Sequence, residues 1–158
     1  MVGLRGVGKT VLLDQMRSDA ERTGIHTIRI EAPENKSLPA LLAPQLRLAL
    51  LRLSHVEAAQ SLATKGLRAL AGFAKALKIK YEDIEVGLDF EPEAGLADNG
   101  DLEGDLTSLL EQVGAAAKSA GTAVVLFIDE LQYIKTSRKI SLLHLSPHYI
   151  AAHRVDCR

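Results

Sequence analysis

Gly3, Gly6 and Gly8 lead into Lys9 and Thr10, and the octapeptide GLRGVGKT (3–10) fits the pattern G-x-x-x-x-G-K-[ST] in full. These residue types suit one task, the holding of a polyphosphate. Glycine lets the backbone take positive φ and come close to phosphate oxygens, so that successive N–H groups form an anion-binding nest. A helix that begins at the end of the loop adds its positive dipole end. Lys9 then offers a point charge to the β- and γ-phosphates, and Thr10 offers a hydroxyl to Mg²⁺. Arg5 and Val7 fill variable positions, so Val7 counts only as part of the loop. The expected contact set is Gly3, Gly6, Val7, Gly8, Lys9, Thr10 and Val11, with Lys9 acting on the transferred phosphate.

A second acidic signal lies far along the chain, in VVLFIDE (124–130). A buried strand ending in Asp129 brings a carboxylate to the sheet edge where ligands of open α/β folds bind. There Asp129 is expected to hold Mg²⁺ through water, and Glu130 to orient or deprotonate an attacking water. His144, His148, His153 and Cys157 have metal-ligand chemistry, but Pro147 interrupts any helix that would align them. We read them as solvated.

These residues need elements to place them. VLLDQMRSDAER (11–22) reads as a helix stopped by Thr23-Gly24, and IHTIRI (25–30) alternates as a short, half-buried strand. LPALLAPQLRLALLRL (38–53) carries an apolar face of Leu38, Leu41, Leu42, Leu46, Ala49, Leu50 and Leu53, with Pro44 expected to kink or split it. A further helix is expected over about 55–77, with Val56, Ala59, Ala63, Leu67, Leu70, Ala74 and Leu77 on its apolar side. LKIKYEDIEVGLDF (77–90) switches to alternation and reads as two strands around Glu82-Asp83. EPEAGLADNGD (91–101) reads as an exposed loop, and Asp101 can cap a helix through Leu102, Leu106, Leu109, Leu110 and Val113 that Gly121 ends. TAVVLFIDE (122–130) is then a continuous apolar run, as expected of a strand buried on both faces of a parallel sheet.

GLRGVGKT followed by VLL, together with VVLFIDELQ, resembles the AAA-type ATPase domain of the origin-recognition-like family of prokaryotes. In that resemblance Lys9 and Thr10 match the Walker A residues, Asp129 the Walker B aspartate, and Glu130 the catalytic glutamate. It implies an α/β fold, the three-layer P-loop NTPase sandwich with a mostly parallel sheet, here with a helical and hairpin insertion over about 38–90. It also implies ATP and Mg²⁺ as cofactors, ATP hydrolysis as the family reaction, and a homo-oligomer or neighbouring ATPase subunit as partner. Nucleic acid enters as a partner by family analogy alone.

The resemblance covers roughly residues 2–134, the expected ATP-binding domain is 1–134, and 135–158 reads as an atypical tail with five basic and one acidic residue. The chain is expected to be incomplete at both ends. Only Met1 and Val2 precede the loop, where the family has a central strand. No strand with a polar sensor residue, and no arginine in a matching context, follows Tyr133. Three readings therefore stay open: an ATPase, a nucleotide-binding switch without turnover, and a non-catalytic remnant or interaction module.

Composition narrows the rest. The chain has 158 residues, 47% hydrophobic, 25% charged and 4% aromatic, so leucine and alanine must fill one domain core. A net charge of −1 from 19 basic and 20 acidic side chains gives no overall field for nucleic acid or an anionic membrane. The single Cys157 excludes an internal disulfide. No apolar run approaches the roughly 18–20 residues of a membrane span. With the loop starting at Gly3 and no signal peptide in view, a cytoplasmic protein is expected.

Overall fold

The computed structural model describes residues 8–31, 38–76, 90–92, 95, 97–98 and 101–129. Chain order is α1 (Lys9–Arg22), β1 (His26–Glu31), α2 (Leu38–Ser54), a 3₁₀ turn (Glu57–Ala59), α3 (Gln60–Ala76), α4 (Leu102–Ser119) and β2 (Val124–Asp129). β1 and β2 pair in parallel, with His26 beside Val124 and Glu31 beside Asp129. The result is a helix-rich α/β unit compatible with a P-loop NTPase fold.

Two matching turns set the register of that sheet. α1 ends on Gly24 at φ 79°, with the Gly24 amide donating to the Glu21 carbonyl and the Ile25 amide to the Ala20 carbonyl. α4 ends on Gly121 at φ 71°, with the Gly121 amide donating to the Lys118 carbonyl and the Thr122 amide to the Ala117 carbonyl. Both are Schellman motifs, and both release the chain directly into a strand. They are joined to each other. The Thr122 hydroxyl donates to the Gly24 carbonyl at 2.8 Å, and the His26 amide to the Ala123 carbonyl at 2.9 Å.

Strand alternation then sorts side chains onto two faces. Ile28, Ile30, Val124 and Leu126 join α2, α3 and α4 in one apolar cluster, against which Ile128 packs. Its largest wholly enclosed side chain is Phe73, and Leu42, Leu46, Leu50, Leu67, Leu70, Leu106 and Leu109 of the same cluster are wholly enclosed too. Small residues let the helices come close. A Cβ placed on Gly66 of α3 would stand 2.7 Å from Cδ2 of Leu50 on α2.

Three expectations change. Pro44 does not split its segment: α2 runs unbroken from Leu38 to Ser54. The backbone bond that proline forfeits costs about 3 kcal/mol, and the burial of Leu42, Ala43, Leu46, Leu50 and Leu53 on both sides of it outweighs that. Val56 is exposed and stands ahead of the 3₁₀ turn instead of lining a helix, while α3 buries every residue from Ala69 to Ala74, far more than one stripe. Held between α2 and α4, α3 keeps Gln60, Ser61, Lys65, Arg68 and Lys75 for its solvent face. Ala97, within the segment expected to be exposed, is buried at φ 55°, although Glu91, Pro92, Gly95 and Asp98 are exposed.

Asp101 behaves as expected. Its carboxylate accepts from the Gly104 amide at 3.2 Å and caps α4. The expected strands over 77–90 lie outside the described residues apart from Phe90, which packs on the core. Among the described residues no helix is long and apolar enough to cross a membrane.

Candidate functional site

α1 begins without a side-chain cap. Its N-cap is Gly8 at φ 95° and ψ −23°, which has no side chain with which to cap the first-turn amides, and the first turn holds no acidic residue. The Leu12 amide donates to the Gly8 carbonyl at 2.9 Å, so the amides just ahead of it are those a helix leaves for an outside partner. A Cβ on Gly8 would meet nothing within 4 Å, so glycine is needed here for its left-handed backbone rather than for space. An uncapped, acid-free N-terminus of a 14-residue helix suits an anion.

Lys9 is the first residue of α1, and Thr10 and Val11 are exposed in its first turn. Thr10 is the link to the second motif. Its Oγ1 donates to Oδ2 of Asp129 at 3.1 Å, across 119 positions of sequence. Asp129 ends β2 at the carboxyl edge of the sheet and is half-buried. Two of the residues predicted to serve a cation are therefore in contact. Gly3, Gly6, Val7 and Glu130 lie outside the described residues, as do His144, His148, His153 and Cys157.

The donor set fits Mg²⁺. A hydroxyl and a carboxylate are hard oxygen ligands, and Mg²⁺ is usually held by one or two protein oxygens together with phosphates and water. Among the described residues no three His, Cys, Asp or Glu side chains gather into a metal cage. A site of this kind needs none.

Sequence reasoning missed the polar layer that seats α1. Arg29 of β1 donates from Nη1 to Oδ1 of Asp14 at 2.9 Å. Arg17 lies 3.8 Å from the same Asp14 oxygen and 3.5 Å from Oε1 of Glu21, which also accepts from the Thr27 hydroxyl at 2.5 Å. Leu13, Asp14, Arg17, Arg29, Phe127 and Asp129 line a small pocket between α1 and the sheet. One signal was present. Asp14 follows Thr10 by one helical turn, and Arg29 takes a polar slot between the core residues Ile28 and Ile30.

A family model described as AAA ATPase domain matches residues 1–148. The chain belongs to that family, and membership supports nucleotide binding. No curated protein and no solved structure matches it.

Proposed function

We propose that the chain binds Mg·ATP at the start of α1, as an AAA-type ATPase domain with a three-layer P-loop sandwich. One observation supports this above the others: the hydrogen bond between Thr10 and Asp129, made at the uncapped start of a helix. Gly3, Gly6, Val7, Gly8 and Val11 frame the phosphates through the loop and first turn. Lys9 neutralises charge on the β- and γ-phosphates. Thr10 and Asp129 hold Mg²⁺, which when bound spreads the charge of the transferred phosphate. Glu130 orients the attacking water.

In this reading residues 1–134 form the ATP-binding unit, with an insertion at about 38–90 and a separate tail at 135–158. The reaction is ATP hydrolysis, completed by a neighbouring subunit, in the cytoplasm. The finer assignment is to the origin-recognition-like branch, on the strength of GLRGVGKT and VVLFIDELQ. Nucleic acid is a partner by that analogy.

The test is equilibrium binding of a non-hydrolysable ATP analogue, with a thermal melt alongside. Saturation at about 100 times the dissociation constant adds roughly 2.7 kcal/mol to stability. Lys9→Ala should abolish that shift, and Asp129→Asn should remove its dependence on Mg²⁺. A wild-type melt indifferent to the nucleotide would sink the reading.

A further inference from the structure

α1 is held on the sheet with little help from packing. None of its described side chains, from Thr10 to Arg22, is fully buried, whereas α3 buries every residue from Ala69 to Ala74. Leu13 and Ala20 are only half-buried, and Val11, Leu12 and Met16 are exposed. Apolar contact is also non-directional, so it does not by itself fix where the helix begins.

The far end of α1 is fixed by the Gly24 turn and its bond from Thr122. Two polar contacts lie toward its start. Thr10 meets Asp129 at 3.1 Å, and one helical turn later Oδ1 of Asp14 accepts from Nη1 of Arg29 at 2.9 Å. Arg29 stands two residues before Glu31, the register partner of Asp129. Four helix residues advance about 6 Å and two strand residues about 6.6 Å, so one placement of α1 allows both contacts. Moving α1 by one residue, about 1.5 Å with a turn of about 100°, would break both. Arg17 supports Asp14 from behind, 3.8 Å from the same oxygen.

We propose that Asp14 and Arg29 are positioning residues whose bond sets the height of α1 over the carboxyl edge of the sheet, and so the place where its first-turn amides meet an anion. The proposal rests on the nucleotide-binding reading above. It gives Arg29 a role through the helix and not through its own charge. A cation acting on the phosphates directly would make Arg29 helpful and Asp14 harmful. A positioning pair makes both helpful, and losing the second partner adds nothing to losing the first.

The experiment compares wild type, Asp14→Ala, Arg29→Met and the double variant Asp14→Ala/Arg29→Met in two measurements. Amide hydrogen exchange without nucleotide should quicken about fivefold in α1 in all three variants, the scale of one partly exposed ion pair, and stay unchanged in α4. Affinity for a fluorescent non-hydrolysable ATP analogue should fall about fivefold in each single variant, and by the same factor in the double variant. A gain in affinity with Asp14→Ala overturns the proposal, because it is the mark of a direct charge effect. So does exchange that quickens equally in α1 and α4, which marks a general loss of stability, or exchange in α1 that does not change. Wild type that binds no nucleotide overturns the function on which the proposal rests. Wild type that binds, with an affinity indifferent to the pair, overturns the proposal alone.

Discussion

The two faces of the strand pair are built from different chemistry. Toward α2, α3 and α4 the sheet presents Ile28, Ile30, Val124 and Leu126, packed against leucine, alanine and Phe73 with almost no exposed surface. Toward α1 it presents Thr27 and Arg29, matched by Asp14, Arg17 and Glu21, with Val125 and the buried Phe127 beside them in register as the apolar part of that face. The side chains of the ion pairs on that face are between 36% and 49% exposed. Partly exposed pairs contribute about 0–1 kcal/mol each, whereas enclosing one large apolar side chain contributes about 1.5–3 kcal/mol. The apolar face thus supplies cohesion, and the polar face supplies direction. Both motif residues in contact, Thr10 and Asp129, belong to the polar side.

The division can be broken experimentally, most forcefully at Phe73. Phe73→Ala should lower unfolding stability by about 3–5 kcal/mol in urea denaturation, since it opens a cavity in the enclosed core. A loss no larger than that of a surface change would mean that the apolar layer is not where cohesion resides. Asp101→Ala should cost less, about 1 kcal/mol, because it removes one cap from a helix that stays packed. Its effect should fall on stability with nucleotide affinity unchanged, and a fall in affinity at constant stability would blur the two faces. Smallest of all, Arg17→Met should shift stability by less than about 1 kcal/mol in the same denaturation series. A core-sized loss there would show that the polar layer also holds the fold together.

What could be read from sequence follows the range of the forces involved. Gly24 and Gly121 mark helix ends by a local backbone requirement, so their neighbours suffice to identify them. The alternation of Ile28 and Ile30 gives a face for the same reason. Thr10 and Asp129 could be paired beforehand because phosphate chemistry calls for a hydroxyl and a carboxylate around one cation, wherever they lie in the chain. Pro44 left kinking and splitting both open, and it does not split α2 because its local penalty is opposed by packing against elements that no nearby residue specifies. The partner of Arg29 was hidden in a similar way. A strand position tells which side a charge faces, but not which residue of the opposing helix will meet it. The unbroken burial of Ala69 to Ala74 in α3 was foreshadowed only by its alanines, which permit close packing without announcing it.

The stitched helix ends also carry a consequence for insertions and deletions. The hydrogen bonds of Thr122 and His26 pin both strands at the edge opposite Thr10 and Asp129. The stretch from Gly121 to Asp129 therefore acts as a ruler read from a fixed zero. One residue added just after Gly121 would advance the strand by about 3.3 Å and turn every side chain to the opposite face. The carboxylate would leave the Thr10 side and an isoleucine would take its place. Two added residues would restore the face but overshoot the edge. Spacing along this strand is thus constrained in parity as well as in length, much as a reading frame is, even where the intervening side chains are interchangeable.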